Sequence, residues 1–248
     1  MKIIISPAKK MNVDTDSMAT TGLPVLLDQT RILWEGIKKL SYDEAKKLWG
    51  CNDKLAGLNY RRFAEMNLEK NITPAVLAYE GLQYQRMAPL IMTRQALDYL
   101  GDHLRILSGF YGILSPFDGV VPYRLEMQAR MAVAGSRDLY GFWDNRIYKE
   151  LAGEEHIIIN LASKEYSQAV KPYLSSADIF VTCIFGELAH GKIKQKGTLA
   201  KMARGEMVRY MAENNVTEVR QLKKFNALGY RYIEELSTET EMTFVIGG

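Results

Sequence analysis

The sequence is poor in the residues that bind metals and form disulfides. Its 248 residues include two cysteines, Cys51 and Cys183, and three histidines, His103, His156 and His190. Neither cysteine belongs to a C-x-x-C pair, and no histidine has a partner at the spacing of helical metal ligands. These spacings argue against a disulfide framework and a structural zinc site, and we expect no metal and no other cofactor.

Long apolar runs are missing as well. The chain has no stretch of about 18 apolar residues, the length that spans a bilayer. The apolar run at its start, Ile3-Ile4-Ile5, is too short for the core of a signal peptide. We therefore expect a cytoplasmic protein that does not associate with membranes. Neither a G-x-G-x-x-G nor a Walker A sequence occurs, which argues against nucleotide hydrolysis.

Basic residues are unevenly distributed along the chain. The net charge of +3 is too small by itself to indicate a nucleic-acid ligand. Between Lys192 and Arg209, however, six cations face the single acid Glu206, whereas four glutamates lie between residues 234 and 241. A local basic surface attracts polyanions whatever the net charge is. The alternative is an ordinary solvated helix face.

Continuous apolar segments predict buried strands at Ile3–Ile5, 105–107, 156–160 and 178–182. Strands of this kind are covered on both faces, and helical patterns between them would supply the cover. One such pattern runs from Leu139 to Leu151 and stops at Gly153. Near the end, residues 230–236 and 242–246 predict an antiparallel hairpin. We therefore predict an α+β fold: a single compact domain over residues 1–248, with a central mixed sheet, surrounding helices and an embedded helix-hairpin-helix.

The basic segment near residue 200 is predicted to form a helix with two different faces. Leu199, Ala203 and Tyr210 fall on one face, which places Lys201 and Arg204 roughly on the opposite one. Both cations are therefore expected to point away from the core.

The stretch Leu55-Ala56-Gly57-Leu58-Asn59 has the form of the hairpin in a helix-hairpin-helix DNA-binding motif. Upstream, Ser41 and Glu44 form a capping box that opens one helix, and a second helix is expected to begin at Tyr60. Gly57 would let the backbone approach a phosphate closely, with free N–H groups at the second helix start. The cations that flank this turn are Lys54, Arg61 and Arg62. An ordinary αα-hairpin with solvated cations is the equally weighted alternative.

Two short motifs carry groups that could act on an anion. Ser6 and Lys9 fit S-x-x-K, a spacing in which a lysine can activate a serine, but a strand-end turn with Lys9 and Lys10 facing a phosphate is the favoured interpretation. Arg124 and Glu126 would share a face only in an extended segment, where they form an internal ion pair or a guanidinium clamp for a phosphate. Both interpretations of this pair stay open.

The segment that follows the third predicted strand is the most enzyme-like feature. Asn160, Ser163, Glu165 and Tyr166 lie where a buried strand gives way to a loop and a short helix, a usual place for ligand-binding groups. The alternative is that Ser163 caps the helix, which explains the serine but neither Asn160 nor Tyr166.

Many dissimilar segments lie in one characteristic order along almost the whole chain. The distinctive ones are Ile4-Ile5-Ser6-Pro7-Ala8-Lys9, Leu107-Ser108-Gly109-Phe110-Tyr111-Gly112, Pro122-Tyr123-Arg124-Leu125-Glu126-Met127 and Asn160-Leu161-Ala162-Ser163-Lys164-Glu165-Tyr166. Together these segments resemble the YaaA family of bacterial peroxide stress proteins. The resemblance implies a compact mixed α/β fold with a helix-hairpin-helix and a positively charged cleft that binds DNA, in cells that defend themselves against peroxide.

The leading hypothesis is accordingly a DNA-binding protein of peroxide defence that grips the phosphate backbone with low sequence specificity. The residues assigned to this grip are Lys9, Lys10, Lys54, Gly57, Arg61, Arg62, Arg124, Lys201 and Arg204. The alternative is an enzyme acting on a nucleotide, a damaged base or a small anionic metabolite in the same cleft. Its candidate catalytic residues are Ser6, Lys9, Arg124, Glu126, Asn160, Ser163 and Tyr166. Direct iron binding is disfavoured, because no cluster of histidine, cysteine and carboxylate lies at ligand spacing.

Overall fold

The structure, a computed structural model, describes residues 1–152, 156–189 and 192–247. The strands are β1 (Lys2–Ile5), β2 (Lys10–Met11), β3 (Thr73–Pro74), β4 (Tyr79–Glu80), β5 (Leu104–Ser108), β6 (Gly112–Leu114), β7 (Gly119–Val120), β8 (Ile157–Asn160), β9 (Ile179–Ala189), β10 (Lys192–Lys194), β11 (Tyr230–Tyr232) and β12 (Glu241–Ile246). The main sheet has five parallel strands at its centre and antiparallel strands at its edges, in the order β11-β12-β9-β8-β1-β5-β6, with β10 paired to β9.

The parallel strands are apolar because both faces of the sheet are covered. Ile3, Ile4 and Ile5 of β1 are all fully buried between β8 and β5, as expected for a central strand between two helical layers. The predicted strands at all four apolar segments are confirmed, although β9 continues well beyond the predicted end at residue 182. The C-terminal antiparallel hairpin of β11 and β12 is also confirmed. The predicted α+β class with a mixed central sheet is therefore correct.

Helices cover the sheet. They are α1 (Leu27–Lys38), α2 (Tyr42–Trp49), α3 (Asp53–Glu65), α4 (Ala75–Ala78), α5 (Leu82–Met87), α6 (Arg94–His103), α7 (Leu139–Trp143), α8 (Arg146–Ala152), α9 (Lys164–Ser167) and α10 (Gly197–Glu213), with 3₁₀ turns at Pro89–Ile91, Lys171–Tyr173, Val219–Lys224, Ala227–Gly229 and Glu234–Leu236. The longest of them, α10, packs against both α5 and α6. None of the helices in residues 1–152, 156–189 and 192–247 is long and apolar enough to cross a membrane.

The predicted hairpin at residues 55–59 is wrong, because these residues lie inside α3. The capping box of Ser41 and Glu44 opens α2 as expected, but α2 ends at Gly50, which has a left-handed φ of 53°. Asn52 then caps α3 by accepting the Leu55 N–H at 3.0 Å. The turn between the helices is therefore formed by residues 50–52. The N–H groups near Tyr60 bond within α3 and are not free to meet an anion.

The physical reason for this error is that the apolar pattern continues through Gly57. Ala56, Asn59 and Phe63 form one buried face of α3, and the Asn59 amide donates to the Leu55 carbonyl at 2.8 Å. A glycine inside a helix lowers stability, but packing of the face beside it outweighs that cost.

The helix predicted over residues 139–151 is also divided. α7 ends at Asp144, whose φ of 46° stops the helix, and α8 begins at Arg146. The residues of this pattern are still core, as Leu139, Trp143, Ile147 and Leu151 are all fully buried. The glycine expected to end the helix, Gly153, lies outside the described residues, as does His190.

Candidate functional site

A chamber of about 400 Å³ lies beside the ends of two neighbouring parallel strands. Ser6 follows the last residue of β1, and Ser163 follows β8 by three residues. Because the carboxyl ends of parallel strands meet at one edge of a sheet, the two serines lie close together, where ligands of such sheets usually bind. The chamber is lined by residues 6–10, residues 80–84, residues 123–126, residues 163, 165 and 166, and residues 201 and 204.

Ser6 and Ser163 bond to each other at the base of the chamber. The Ser163 backbone N–H donates to Ser6 Oγ at 2.8 Å, and Ser6 Oγ donates to Ser163 Oγ at 3.2 Å. Tyr84 reaches the same point, where its hydroxyl donates to the Ser6 carbonyl at 2.9 Å. The Ser163 hydroxyl makes no capping bond to α9, so helix capping does not account for this residue. The two serines hold two strands and α5 together.

Lys9 faces a carboxylate across the chamber. Its Nζ pairs with Glu126 Oε2 at 2.8 Å, and Arg124 Nη2 pairs with Glu126 Oε1 at 3.2 Å. Arg124 is only 11% exposed and also donates through Nε to the Trp49 carbonyl at 3.4 Å. Of the two interpretations of Arg124 and Glu126, the structure has the internal ion pair. Lys9 pairs with Glu126, whereas the Ser6 hydroxyl bonds to Ser163, and this arrangement disfavours a serine–lysine pair.

Gly109 fixes the position of this charged segment. A Cβ at residue 109 would lie 2.5 Å from the Leu125 carbonyl oxygen and 2.8 Å from the Glu126 carbonyl carbon, closer than real Cβ atoms come. The absence of a side chain therefore lets residues 125–127 cross the end of β5 in direct contact with it. Glu126 is held in the chamber wall by this approach.

The opposite wall is made by α10 packed onto α5. A Cβ at Gly205 would lie 2.1 Å from the Gln83 carbonyl oxygen, so this glycine allows the two helices to touch through their backbones. The neighbouring residues of α10, Lys201 and Arg204, both line the chamber. Lys201 is exposed as predicted. Arg204 is not: it is partly buried, and burial lowers the pKa of its guanidinium.

Two donors in this wall have no hydrogen-bond acceptor among the residues that the structure describes. They are Nε of Arg204 and Nε2 of Gln83, both of them buried atoms. Buried donors are nearly always paired with protein or water, so a pair of unpaired donors in one wall indicates a place for a molecule that supplies acceptors. Sequence reasoning missed Gln83 and Tyr84, because the six-residue helix α5 is too short to show a periodic pattern.

Glu165 lines the chamber together with Glu80 and Glu126. Burial raises the pKa of the Glu165 carboxyl. The hydrogen bond that its Oε1 accepts from the Gln128 N–H, at 3.3 Å, lowers this pKa, whereas the negative charge of Glu126 raises it further. Tyr166, next to it, is buried, and burial raises the pKa of its hydroxyl far above the usual value. At neutral pH Glu165 therefore holds a proton more readily than an exposed glutamate does.

An open groove of about 740 Å³ adjoins the chamber and shares Lys9 and Glu126 with it. Its other walls include Lys47, Trp49 and Gly50 at the end of α2, together with Arg130. The indole N–H of Trp49 is a further buried donor that has no acceptor in residues 1–152, 156–189 and 192–247. We call the chamber and the groove together the cleft. The turn that ends α2 thus borders the cleft, whereas the predicted hairpin does not.

The structure leaves some predicted site residues outside the cleft. Asn160 is buried beneath it, where Oδ1 accepts the Ala162 N–H at 3.0 Å and Nδ2 donates to Thr182 Oγ1 at 3.3 Å. These bonds fix the strand-to-loop transition that carries Ser163. On α3, Arg62 is half-buried. Four predicted DNA contacts lie on α3 and line neither the chamber nor the groove: Lys54, Gly57, Arg61 and Arg62.

In the parts of the chain that the structure describes, no three side chains of His, Cys, Asp or Glu come together as a metal site would require. The chemistry available in the cleft is that of hydroxyls, amides, glutamate carboxylates and a set of cations.

Comparison with known proteins relates the whole cleft to one family. The family profile described as peroxide stress protein YaaA matches residues 1–236. A UPF0246 protein of Pediococcus pentosaceus is 52% identical over 245 residues, 99% of this chain and 98% of that protein. A UPF0246 protein of Desulfitobacterium hafniense is 51% identical over 245 residues, which cover 99% of this chain and 98% of that protein. A UPF0246 protein of Limosilactobacillus reuteri is 52% identical over 245 residues, which cover 98% of each chain. Every segment that lines the cleft falls within the matched residues.

Proposed function

Because the chain belongs to the family of YaaA peroxide stress proteins, we propose that it acts in the oxidative stress response as a cytoplasmic DNA-binding protein. It binds DNA along the cleft and grips phosphates with little preference for base sequence. The family supports the role in peroxide stress. Support for DNA as the ligand comes from the charges in the cleft.

One observation carries the proposal: cations from distant parts of the chain converge on a single cavity. The chamber is lined by Lys9 and Lys10 after β1, by Arg124, and by Lys201 and Arg204 of α10. Lys47 and Arg130 continue the basic lining into the groove. Cations outnumber the lining glutamates, which are Glu44, Glu80, Glu126 and Glu165. A concave surface with an excess of positive charge concentrates polyanions, and phosphate contacts supply most of the affinity for DNA of any sequence.

The acids in the cleft do not cancel this attraction. Lys9 pairs with Glu126 and Lys10 with Glu80 at 2.6 Å, but the two lysine side chains are 64% and 73% exposed. Exposed ion pairs contribute little free energy, so a phosphate can take over these lysines at small cost. Lys201 is exposed to solvent at the mouth of the chamber. These three lysines are the expected phosphate contacts.

The experiment is a salt titration of duplex binding by fluorescence anisotropy, with matched variants. If about four phosphates are engaged, log K falls with log salt at a slope of roughly −3.6. The double variant Lys10→Gln/Lys201→Gln is expected to reduce the magnitude of this slope by about 0.9 per lost contact. Its affinity is expected to fall by the same factor for duplexes of unrelated sequence.

The matched control is Lys54→Gln/Arg61→Gln, which removes two exposed cations of α3 that lie outside the cleft. It is expected to change the slope much less. Equal effects of the two double variants would place the grip on α3 and contradict the proposed cleft. A slope near zero for the parent protein would rule out a phosphate grip altogether.

A second candidate function is an enzyme that acts on a nucleotide, a damaged base or a small anionic metabolite in the chamber. The observation that favours it is Glu165, a carboxyl with a raised pKa beside Glu126, because proton-transfer groups are tuned in this way. Incubation with nucleotides and with duplexes that carry damaged bases tests it. The expected result is a product that the parent protein forms and the Glu165→Gln variant does not. If the parent protein forms no product from any of these substrates, this result counts against the enzymatic function.

A further inference from the structure

The cleft has two compartments with different chemistry. The groove is open, and its basic residues, Lys47 and Arg130, are exposed side chains. The chamber is smaller, and its interior includes buried aromatic and apolar side chains, among them Tyr84, Tyr123 and Leu125. Lys9 and Glu126 line both compartments, so the chamber opens directly into the groove. A long polyanion in the groove would pass the mouth of the chamber.

The chamber wall offers a mixture of donors and acceptors that phosphate alone does not use. Gln83 is only 6% exposed, and within the described parts of the chain neither its amide nitrogen nor Nε of Arg204 has a hydrogen-bond acceptor. The carboxyl groups of Glu126 and Glu165 also line the chamber and supply acceptors. A nucleobase presents both carbonyl or ring-nitrogen acceptors and N–H donors, on a flat ring that aromatic and apolar side chains can cover.

We propose that the chamber receives a single nucleotide that is extruded from DNA lying in the groove. This inference rests on the proposed function. The base lies among Gln83, Arg204 and Glu165, and the phosphates on either side of it meet Lys10 and Lys201 at the mouth. Extrusion costs least where a base is unpaired or mismatched, so the chamber selects DNA that is already locally opened.

Two features favour an extruded nucleotide over a free one. The chamber continues into a basic groove of about 740 Å³, which a free nucleotide would not need. The cations of the groove, Lys47 and Arg130, lie outside the chamber lining, so they could contact only a ligand that extends beyond it.

The test uses duplexes that contain 2-aminopurine, whose fluorescence rises when the base leaves the stack. One duplex pairs it normally, and a second places it opposite a gap in the other strand. With the parent protein at saturation, we expect a several-fold rise, at lower protein concentration for the gapped duplex. Anisotropy of the same samples reports DNA binding independently.

Gln83→Leu removes the unpaired amide while keeping a similar volume, and is expected to abolish most of the fluorescence rise while the duplex remains bound. Ala8→Phe, on the half-exposed loop after β1, fills the chamber from its rim and is expected to do the same if Gln83→Leu does not fold. Lys54→Gln, an exposed position of α3 outside the cleft, is the control: at saturation its fluorescence rise is expected to equal that of the parent protein.

Bound duplex with unchanged fluorescence would overturn the extruded-nucleotide inference and leave DNA binding intact. Absence of any anisotropy change would overturn both. A fluorescence rise that persists in a folded chamber variant would also overturn the inference, as would deoxynucleoside monophosphates displacing the DNA at concentrations comparable to those of the duplex.

Discussion

Ser6 and Ser163, 157 residues apart in the chain, are joined by two hydrogen bonds that connect the ends of adjacent parallel strands at the base of the chamber. The bonds are of unequal importance. The bond from the Ser163 backbone N–H is the shorter one, and its donor remains when the Ser163 side chain is mutated. The bond between the two hydroxyls is longer, and a water molecule can replace either hydroxyl as the partner.

Ser6→Ala is therefore expected to lower the free energy of unfolding by about 1–3 kcal/mol, because it leaves the Ser163 N–H without its acceptor. Ser163→Ala keeps that bond and is expected to cost at most about 1 kcal/mol. Urea denaturation of the two variants measures the difference. A loss for Ser163→Ala as large as that for Ser6→Ala would show that the hydroxyl–hydroxyl bond is the important one.

Gly57→Ala is expected to stabilise the protein by about 0.5–1 kcal/mol, because Gly57 lies inside α3 and an alanine has the higher helix propensity. Space is available, since the nearest atom to the added Cβ is the Tyr42 hydroxyl at 3.9 Å. DNA affinity is expected to stay the same. Thermal unfolding and anisotropy are the measurements.

The matched control for this substitution is Gly50→Ala at the true turn. Its φ of 53° is left-handed, so an alanine there is expected to cost about 1–2 kcal/mol even though nothing lies within 4 Å of the added Cβ. If Gly57→Ala destabilised more than Gly50→Ala, the assignment of the turn to residues 50–52 would fail.

Gly109→Ala is expected to destabilise the protein by about 1–3 kcal/mol, since the added Cβ overlaps the backbone of residues 125–126 and forces it outward. The shift moves Glu126 away from Lys9, so DNA affinity is expected to change as well. Gly197→Ala, where no atom lies within 4 Å of the new Cβ, serves as the control. A Gly109→Ala protein as stable as this control would contradict the close contact seen in the structure.

The free energy of unfolding is expected to fall as pH rises from about 4 to 6, because the carboxyl of Asp118 loses its proton over this range. Burial raises the pKa of Asp118 to about 6, although the Ser115 N–H that it accepts and the charge of Arg105 act in the opposite direction. The folded state then binds a proton more tightly than the unfolded state, whose pKa is near 3.9. By linkage the contribution of Asp118 favours folding at low pH and is lost as pH passes 6, amounting to about 1–3 kcal/mol.

Asp118→Asn should keep the bond from Ser115 and remove this proton dependence, so its unfolding free energy should vary less between pH 4 and 6 than that of the parent. Denaturant titrations at several pH values compare the two proteins. Identical pH profiles would mean that Asp118 titrates normally.

Asp178 contributes with the opposite sign at lower pH. Burial alone raises the pKa of Asp178, but hydrogen bonds from Tyr148, Ser175 and His156 outweigh it and bring the pKa to about 2. Its folded pKa lies below the unfolded value, so its stabilisation is present above pH 4 and is lost as pH falls towards 2. Asp178→Asn is expected to destabilise the protein at pH 7 and to have a smaller effect near pH 2. The same denaturant titrations extended to acid measure this, and an equal loss at both values would contradict it.

Local pattern was enough for the elements that are long and regular. Ile3–Ile5 and residues 156–160 form central strands because uninterrupted branched apolar residues suit a sheet covered on both faces. The capping box at Ser41 was also readable, since it depends on side chains three residues apart. The turn between α2 and α3 was misplaced, because a glycine and an Asx residue occur at both Gly50–Asn52 and Gly57–Asn59, and only tertiary contacts of α3 decide which pair ends a helix.

The sequence by itself determined the fold class, the family and the kinds of side chain that could meet an anion, because these depend on composition, periodicity and segment order. Only the tertiary structure decided which of those side chains share a cavity. Lys9, Arg124 and Lys201 come together through strand pairing and the backbone contact at Gly205, whereas the cations of α3 stay outside. Burial of Arg204 and Gln83 was undecidable from local pattern, since it arises where α10 crosses α5 and depends on residues more than a hundred positions apart.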